Sequence, residues 1–132
     1  MRKVAITGGI GTGKTFISQI FVKMGIPVFY ADEEAKKCYE SPNIIEATHS
    51  LFGDQVFTNN RLDFKKMAEY VFQDSGKRDL INQLIHPKVM ERFEAWAAEQ
   101  QAPSVMMETA ILFENGLDKF FDMVIVVDAP MD

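Results

Sequence analysis

The chain has 132 residues, enough for one domain with a sizeable core, and its 47% hydrophobic and 25% charged residues are typical of a soluble globular protein. The net charge of −5 argues against a duplex nucleic-acid partner, and no apolar run approaches the roughly 20 residues of a membrane span. The single cysteine, Cys38, excludes an intrachain disulfide, so we expect a cytoplasmic protein. The sequence leaves the oligomeric state open.

The first predicted elements are a buried strand over Val4–Thr7, a glycine-rich loop and a helix. Residues 8–15 match G-x-x-x-x-G-K-[ST], the spacing of a phosphate-binding loop. We expect the loop amides and the helix start to bind phosphate, Lys14 to reach the β and γ phosphates, and the Thr15 hydroxyl to bind Mg²⁺. A dinucleotide fingerprint is excluded, because Lys14 stands where that pattern needs glycine or alanine. The pattern predicts a site for a nucleoside triphosphate.

The helix after the loop is predicted to end at Gly25, and a second strand over Pro27–Asp32 completes a βαβ unit. The predicted core stripe of this helix is Ile17, Ile20, Phe21 and Met24. Asp32 then lies at the carboxyl end of the second strand. It is our candidate for the base that accepts the proton of an attacking hydroxyl, and the alternative role is a helix N-cap.

The middle of the chain, about residues 40–100, is predicted to be a helical insertion without strands. Its apolar and methionine stripes are interpreted as core. The predicted boundaries are a helix start at Ser41–Pro42, a stop at Gly53, a turn at Asn59–Asn60, a cap at Asp63, a stop at His86 and a new helix opening at Pro87.

The sheet is predicted to resume with strands over Pro103–Glu108 and Asp122–Asp128. The carboxyl ends of parallel strands face the ligand crevice, so Asp32, Glu108 and Asp128 are all expected near the phosphate loop. Glu108 is expected to hold Mg²⁺ through water or to steady the substrate, with a plain strand-end charge as the alternative. The two histidines and the cysteine lie too far apart in the sequence for a zinc site.

The motifs together resemble the dephospho-CoA kinase family over essentially the whole chain. The phosphate loop alone occurs in many nucleotide kinases, whereas its combination with the later segments is far more specific. The matching segments are Thr7–Thr15, Ala31–Asp32, Leu51–Gly53, Val71–Phe72, Leu84–Pro87, Ile111–Leu117 and Val126–Asp128.

This resemblance implies transfer of the γ-phosphoryl group of ATP to the ribose 3′-hydroxyl of dephospho-CoA, with Mg²⁺, in the last step of CoA synthesis. Lys14 and Asp32 are then the catalytic residues. The residues expected to bind ATP are Gly9, Gly11, Thr12, Gly13, Lys14, Thr15 and Phe16, with Thr15 also binding the metal. The residues expected on the acceptor side are Asp32, His86, Glu108, Leu112, Phe113 and Glu114.

The expected fold is an α/β P-loop parallel sheet flanked by helices, in a single domain over residues 1–132, with the helical insertion binding the acceptor. Members of the family continue past the strand that ends at Asp128, so we expect an arginine-bearing lid and a last strand to be absent from this sequence. The alternatives are a kinase for another small nucleotide or nucleoside, and a non-catalytic ATP-binding fragment.

Overall fold

The computed structural model describes residues 1–8, 13–110 and 116–128. The chain divides into a sheet unit, made of Met1–Glu34 with Met90–Asp132, and a helical unit, Ala35–Val89. In chain order, the helices and strands of the described residues are β1 (Arg2–Thr7), α1 (Lys14–Lys23), β2 (Val28–Tyr30), α2 (Ala31–Cys38), α3 (Pro42–Phe52), β3 (Phe57–Thr58), β4 (Arg61–Leu62), α4 (Phe64–Gln73), α5 (Ser75–Glu99), β5 (Ser104–Thr109) and β6 (Met123–Val126). Short 3-10 helices cover Gly53–Val56 and Leu117–Phe120.

The sheet unit contains a parallel sheet in the order β2-β5-β1-β6. At its centre, Ala5 of β1 pairs with Met107 of β5 on one side and Val124 of β6 on the other. Strands covered on both faces need continuous apolar runs, which explains the composition of β1 and β5. The strands β1 and β2 of the predicted βαβ unit are not adjacent, because β5 lies between them, so the connection through α1 passes across β5.

Side chains of the sheet unit cover both faces of this sheet. Successive residues of a strand point to opposite faces, so Ala5 lies on the face opposite to Val4 and Ile6. On one face the cluster consists of Val4, Ile6 and Met106, packed against residues that include Ile17 and Phe21 of α1. On the other face it consists of Ala5 and Leu117, packed against Met90, Phe121 and Val124. The predicted parallel sheet flanked by helices is confirmed.

The predicted core stripe of α1 is wrong in two of its four members. Ile20 and Met24 are 44% and 68% exposed, and the residue of α1 that is fully buried is the polar Ser18. A buried hydroxyl costs little when it is hydrogen-bonded, and Ser18 has acceptors within reach. The predicted end of the helix is confirmed, because Gly25 follows the C-cap with a positive φ of 90°.

Two helix starts predicted in the helical unit are confirmed. Ser41 is the N-cap of α3 with a proline in its first turn, and Gly53 follows its last residue. The Asp63 carboxylate caps α4 by accepting hydrogen bonds from the backbone N–H groups of Lys65 and Lys66.

The prediction of a middle segment without strands is wrong. Strands β3 and β4 form an antiparallel hairpin in which Phe57 pairs with Leu62. Asn59 and Asn60 form its turn with positive φ angles of 53° and 63°. Such two-residue turns match the twist of a hairpin, and asparagine tolerates this backbone region. The strands are too short to show an alternating pattern in the sequence.

The predicted helix break at Pro87 is also wrong, because Pro87 lies inside the 25-residue helix α5. A buried stripe with a spacing of four residues runs through the helix on both sides of the proline, at Ile81, Ile85, Val89, Phe93 and Ala97. Interior proline costs roughly 3 kcal/mol, and burial of one large apolar side chain contributes about 1.5–3 kcal/mol. The stripe therefore outweighs the proline.

Candidate functional site

Four residues of the predicted phosphate loop are described: Gly8, which precedes the gap, and Gly13, Lys14 and Thr15, where α1 begins. Gly13 has a left-handed backbone, with φ of 88°, and immediately precedes Lys14, the first residue of α1. Glycine reaches this region without the strain that a Cβ atom brings. The helix start exposes N–H groups with no partner in the helix itself, a favourable setting for phosphate. The predicted ATP-binding residues Gly9, Gly11 and Thr12 lie outside the described residues.

An open cavity of about 340 Å³ in the sheet unit gathers several of the predicted residues. Its lining consists of Lys14, Thr15, Gln19, Tyr30, Asp32, Glu33 and Glu108. Lys14 and Thr15 are the first two residues of α1. Asp32 lies two residues after the end of β2, and Glu108 is the second-last residue of the neighbouring strand β5. The carboxyl ends of parallel strands and the first turn of a helix thus converge on one cavity, as the sequence predicts for Asp32 and Glu108.

Glu108 is a buried carboxylate held by two hydroxyl groups of α1. It is 6% exposed, and its Oε1 accepts a hydrogen bond of 2.7 Å from the Thr15 hydroxyl. Its Oε2 lies 3.0 Å from the hydroxyl of Ser18, which is fully buried. The alternative of a plain solvated charge at the strand end is therefore wrong.

Asp32 lies in the first turn of α2, since β2 ends at Tyr30 and α2 begins at Ala31. Its carboxylate accepts hydrogen bonds from the hydroxyl of Thr109, the last residue of β5, and from the backbone N–H of Ala110, which follows the strand. The strand therefore ends two residues earlier than predicted. The alternative role of Asp32 as a helix N-cap is wrong, because the residue is already inside the helix.

The environment of Asp32 raises its pKa above the ordinary value of a carboxyl group. The main cause is burial of the carboxyl, and the nearby Glu108 adds to it. Lys14 and the two hydrogen bonds from Ala110 and Thr109 oppose this rise in pKa. A carboxylate with a raised pKa is a better proton acceptor at neutral pH than an ordinary aspartate.

The other predicted residues are not gathered in this cavity. Phe16 is 69% exposed, and Asp128 is exposed and not part of the cavity lining. His86 belongs to the helical unit, where burial of its ring lowers its pKa. The predicted acceptor residues Leu112, Phe113 and Glu114 lie outside the described residues.

Four residues at this site were not predicted: Ser18, Gln19, Tyr30 and Glu33. Of these, only Ser18 carried a signal in the sequence. It follows Thr15 by three residues, which places both hydroxyls on the same side of a helix.

The residues of the cavity fit a magnesium ion. Mg²⁺ prefers hard oxygen ligands and usually binds through one or two protein groups together with phosphate oxygens and water. The Thr15 hydroxyl donates its proton to Glu108, so its oxygen lone pairs remain for a cation. Among the described residues, no group of three or more histidine, cysteine or acidic side chains could form an all-protein metal site.

Comparison with known proteins identifies the family. The sequence model described as CoaE, dephospho-CoA kinase, matches residues 2–132. The chain belongs to the dephospho-CoA kinase family. The dephospho-CoA kinase of Bacteroides fragilis strain YCH46 is 37% identical over 132 residues, covering 98% of this chain and 64% of that protein. The dephospho-CoA kinase of Porphyromonas gingivalis strain W83 is 37% identical over 131 residues, covering 98% and 65%. This chain therefore spans slightly less than two thirds of the length of these relatives.

Two solved structures share the fold of this chain. The crystal structure of TT1252 from Thermus thermophilus superposes with a TM-score of 0.85 at 30% identity, covering 98% of this chain and 66% of that one. A dephospho-CoA kinase from Campylobacter jejuni superposes with a TM-score of 0.69 at 21% identity, covering 100% and 69%, and shows the shared fold. In this member of the family, none of the helices in the described ranges is long and apolar enough to cross a membrane.

Proposed function

We propose that this chain carries the catalytic carboxylate and the phosphate site of a dephospho-CoA kinase. The reaction moves the γ-phosphoryl group of ATP to the ribose 3′-hydroxyl of dephospho-CoA and releases ADP and CoA. The observation that carries the proposal is the convergence of Lys14, Thr15, Asp32 and Glu108 on one cavity, in a chain that belongs to this family.

Each of these side chains has a role that follows from its charge and position. The Lys14 ammonium lies at the start of α1, where it can neutralise β and γ phosphate oxygens bound at the predicted phosphate loop. Thr15 and Glu108 supply the oxygen ligands for Mg²⁺, directly or through water. When bound, Mg²⁺ would screen the negative charge of the phosphates.

Asp32 orients the acceptor hydroxyl and accepts its proton as the new oxygen–phosphorus bond forms and the bond to ADP breaks. Its raised pKa favours proton acceptance, and the positive charge of Lys14 opposes the rise and favours the ionised carboxylate. We assign acceptor binding to the helical part of the chain, about residues 40–100, with His86, Leu112, Phe113 and Glu114 on the acceptor side. The reaction would take place in the cytoplasm.

The proposal is tested by measuring ADP release from MgATP, with and without dephospho-CoA, on protein whose intact mass confirms all 132 residues. We expect release that depends on dephospho-CoA. A panel of other acceptors, including nucleosides and nucleoside monophosphates, tests the nearest competing function. Release with one of these acceptors but not with dephospho-CoA would refute the proposed substrate, and slow release that ignores every acceptor would indicate a non-catalytic nucleotide-binding module.

A further inference from the structure

Ser18 is a buried polar residue with no place in the proposed reaction. It is 0% exposed, so it cannot contact a nucleotide in the cavity. A serine at such a position is expected to have a hydrogen-bonding purpose, because alanine would fill the same space without a polar group. The contacts of its hydroxyl group show what that purpose is.

The Ser18 hydroxyl has one proton and two acceptors within reach. Its Oγ lies 2.9 Å from the carbonyl oxygen of Thr15 and 3.0 Å from Oε2 of Glu108. An ionised carboxylate is the stronger acceptor, since charge-assisted hydrogen bonds are about twice as strong as neutral ones. Ser18 therefore donates to Glu108, and the two oxygens of that carboxylate are held by two hydroxyls one helical turn apart.

We propose that Ser18 is a positioning residue for the metal ligand Thr15, acting through Glu108; this inference rests on the proposed function. Ser18 holds Oε2, which keeps Oε1 in place to accept the proton of the Thr15 hydroxyl. With its proton directed at Glu108, the Thr15 oxygen presents its lone pairs to a divalent cation. Without Ser18, a buried carboxylate oxygen loses its donor, and the Glu108 side chain gains by turning toward the open cavity.

The test measures binding rather than turnover. The chain is titrated calorimetrically with a non-hydrolysable ATP analogue at a series of Mg²⁺ concentrations. The readout is the midpoint, which is the Mg²⁺ concentration at which the association constant for the analogue reaches half of its maximum. Loss of a group that orients a metal ligand typically weakens metal binding about 10- to 100-fold, and we expect Ser18→Ala to shift the midpoint by this factor. Affinity for the analogue without Mg²⁺ should change less than about twofold, because Ser18 does not reach the nucleotide.

Thr48→Val is the matched control. Thr48 is also 0% exposed, and its hydroxyl bonds to a carbonyl of its own helix, at Ile44, but it belongs to the helical unit. It should lose stability as Ser18→Ala does and keep the wild-type Mg²⁺ midpoint. Ser18→Cys, which keeps the size and weakens the donor, replaces the alanine variant if that variant does not fold.

A double-mutant cycle with Glu108→Ala identifies the route of the effect. If Ser18 acts through Glu108, the substitution at Ser18 causes no further shift in the Glu108→Ala protein. An unchanged midpoint in Ser18→Ala, or an equal shift with and without Glu108, overturns the inference and leaves the proposed function intact. Failure of the wild-type chain to bind the analogue in a Mg²⁺-dependent way overturns both.

Discussion

The substitution Asp32→Asn separates a catalytic role of this carboxylate from a structural one. Asparagine keeps the shape of the side chain and one oxygen that can accept hydrogen bonds from Ala110 and Thr109, and it replaces the other oxygen with a non-basic NH₂ group. General-base catalysis typically contributes 10²- to 10⁴-fold to the rate. At about 1.4 kcal/mol per factor of ten, the expected loss of transition-state stabilisation is roughly 3–5 kcal/mol.

The stability of the Asp32→Asn protein is expected to move in the opposite direction. Because the pKa of Asp32 is raised in the folded chain, the folded state loses stability as pH rises from the ordinary carboxyl pKa through the raised one. Asparagine carries no charge and avoids this loss. At pH 7 the variant should therefore melt at the same temperature as the wild type or higher, and the difference should vanish below both pKa values.

Two assays decide the matter: turnover with dephospho-CoA under saturating MgATP, and thermal unfolding followed by circular dichroism at pH 7 and at pH 3. We expect the rate to fall by at least about 100-fold while the affinity for MgATP changes little. A variant that retains its rate and melts at a lower temperature at pH 7 would refute the reasoning, because it would show that the carboxylate serves the fold.

Three further predictions concern phosphate binding, the core and the long helix. Lys14→Ala should lower kcat/KM by at least about 100-fold, with an unchanged circular dichroism spectrum. Phe93→Ala should lower the free energy of unfolding, measured with urea, by about 3–5 kcal/mol, because Phe93 is 0% exposed and the centre of its ring lies 5.4 Å from that of Phe29. The control Phe120→Ala, at a 51% exposed position, should change it by less than about 0.5 kcal/mol. Pro87→Ala should stabilise the chain by up to about 3 kcal/mol in the same assay, because it restores a helical N–H donor inside α5; a loss of stability would show that the helix depends on the proline.

The elements that local chemistry determines are the ones that the sequence predicts well. The strand before the phosphate loop, the cap at Asp63 and the helix end at Gly25 each depend on residues close together in the chain. A carboxylate that caps a helix bonds to N–H groups within the next three residues, and a glycine adopts the left-handed conformation without help from other residues. These features were predicted within two residues of where the structure places them.

The predictions that failed depend on tertiary packing. The continuity of α5 through Pro87 depends on the apolar side chains buried before and after it. Rules based on local sequence place a helix end at proline because they include the free-energy cost of its missing hydrogen bond. They do not include the free energy gained when the apolar side chains of the helix are buried. The hairpin at Asn59–Asn60 failed for a related reason, since two strands of two residues each contain no measurable period.

The candidate site shows the same division between local and long-range information. The loop motif identifies Lys14 and Thr15 because the chemistry of phosphate binding requires them at adjacent positions. The contact of Ser18 with Glu108 joins residues 90 positions apart, and it exists only because α1 packs with that side against β5. An apolar stripe predicts the buried face of a helix only approximately, and the predicted face can be rotated about the helix axis by one or two residue positions. Such a rotation decides whether Ser18 or Ile20 is buried. Ser18 is therefore the position at which the predicted apolar stripe of α1 failed. It also indicates where the fold supports the chemistry, because a buried hydroxyl group is stabilising only where it has a hydrogen-bond acceptor.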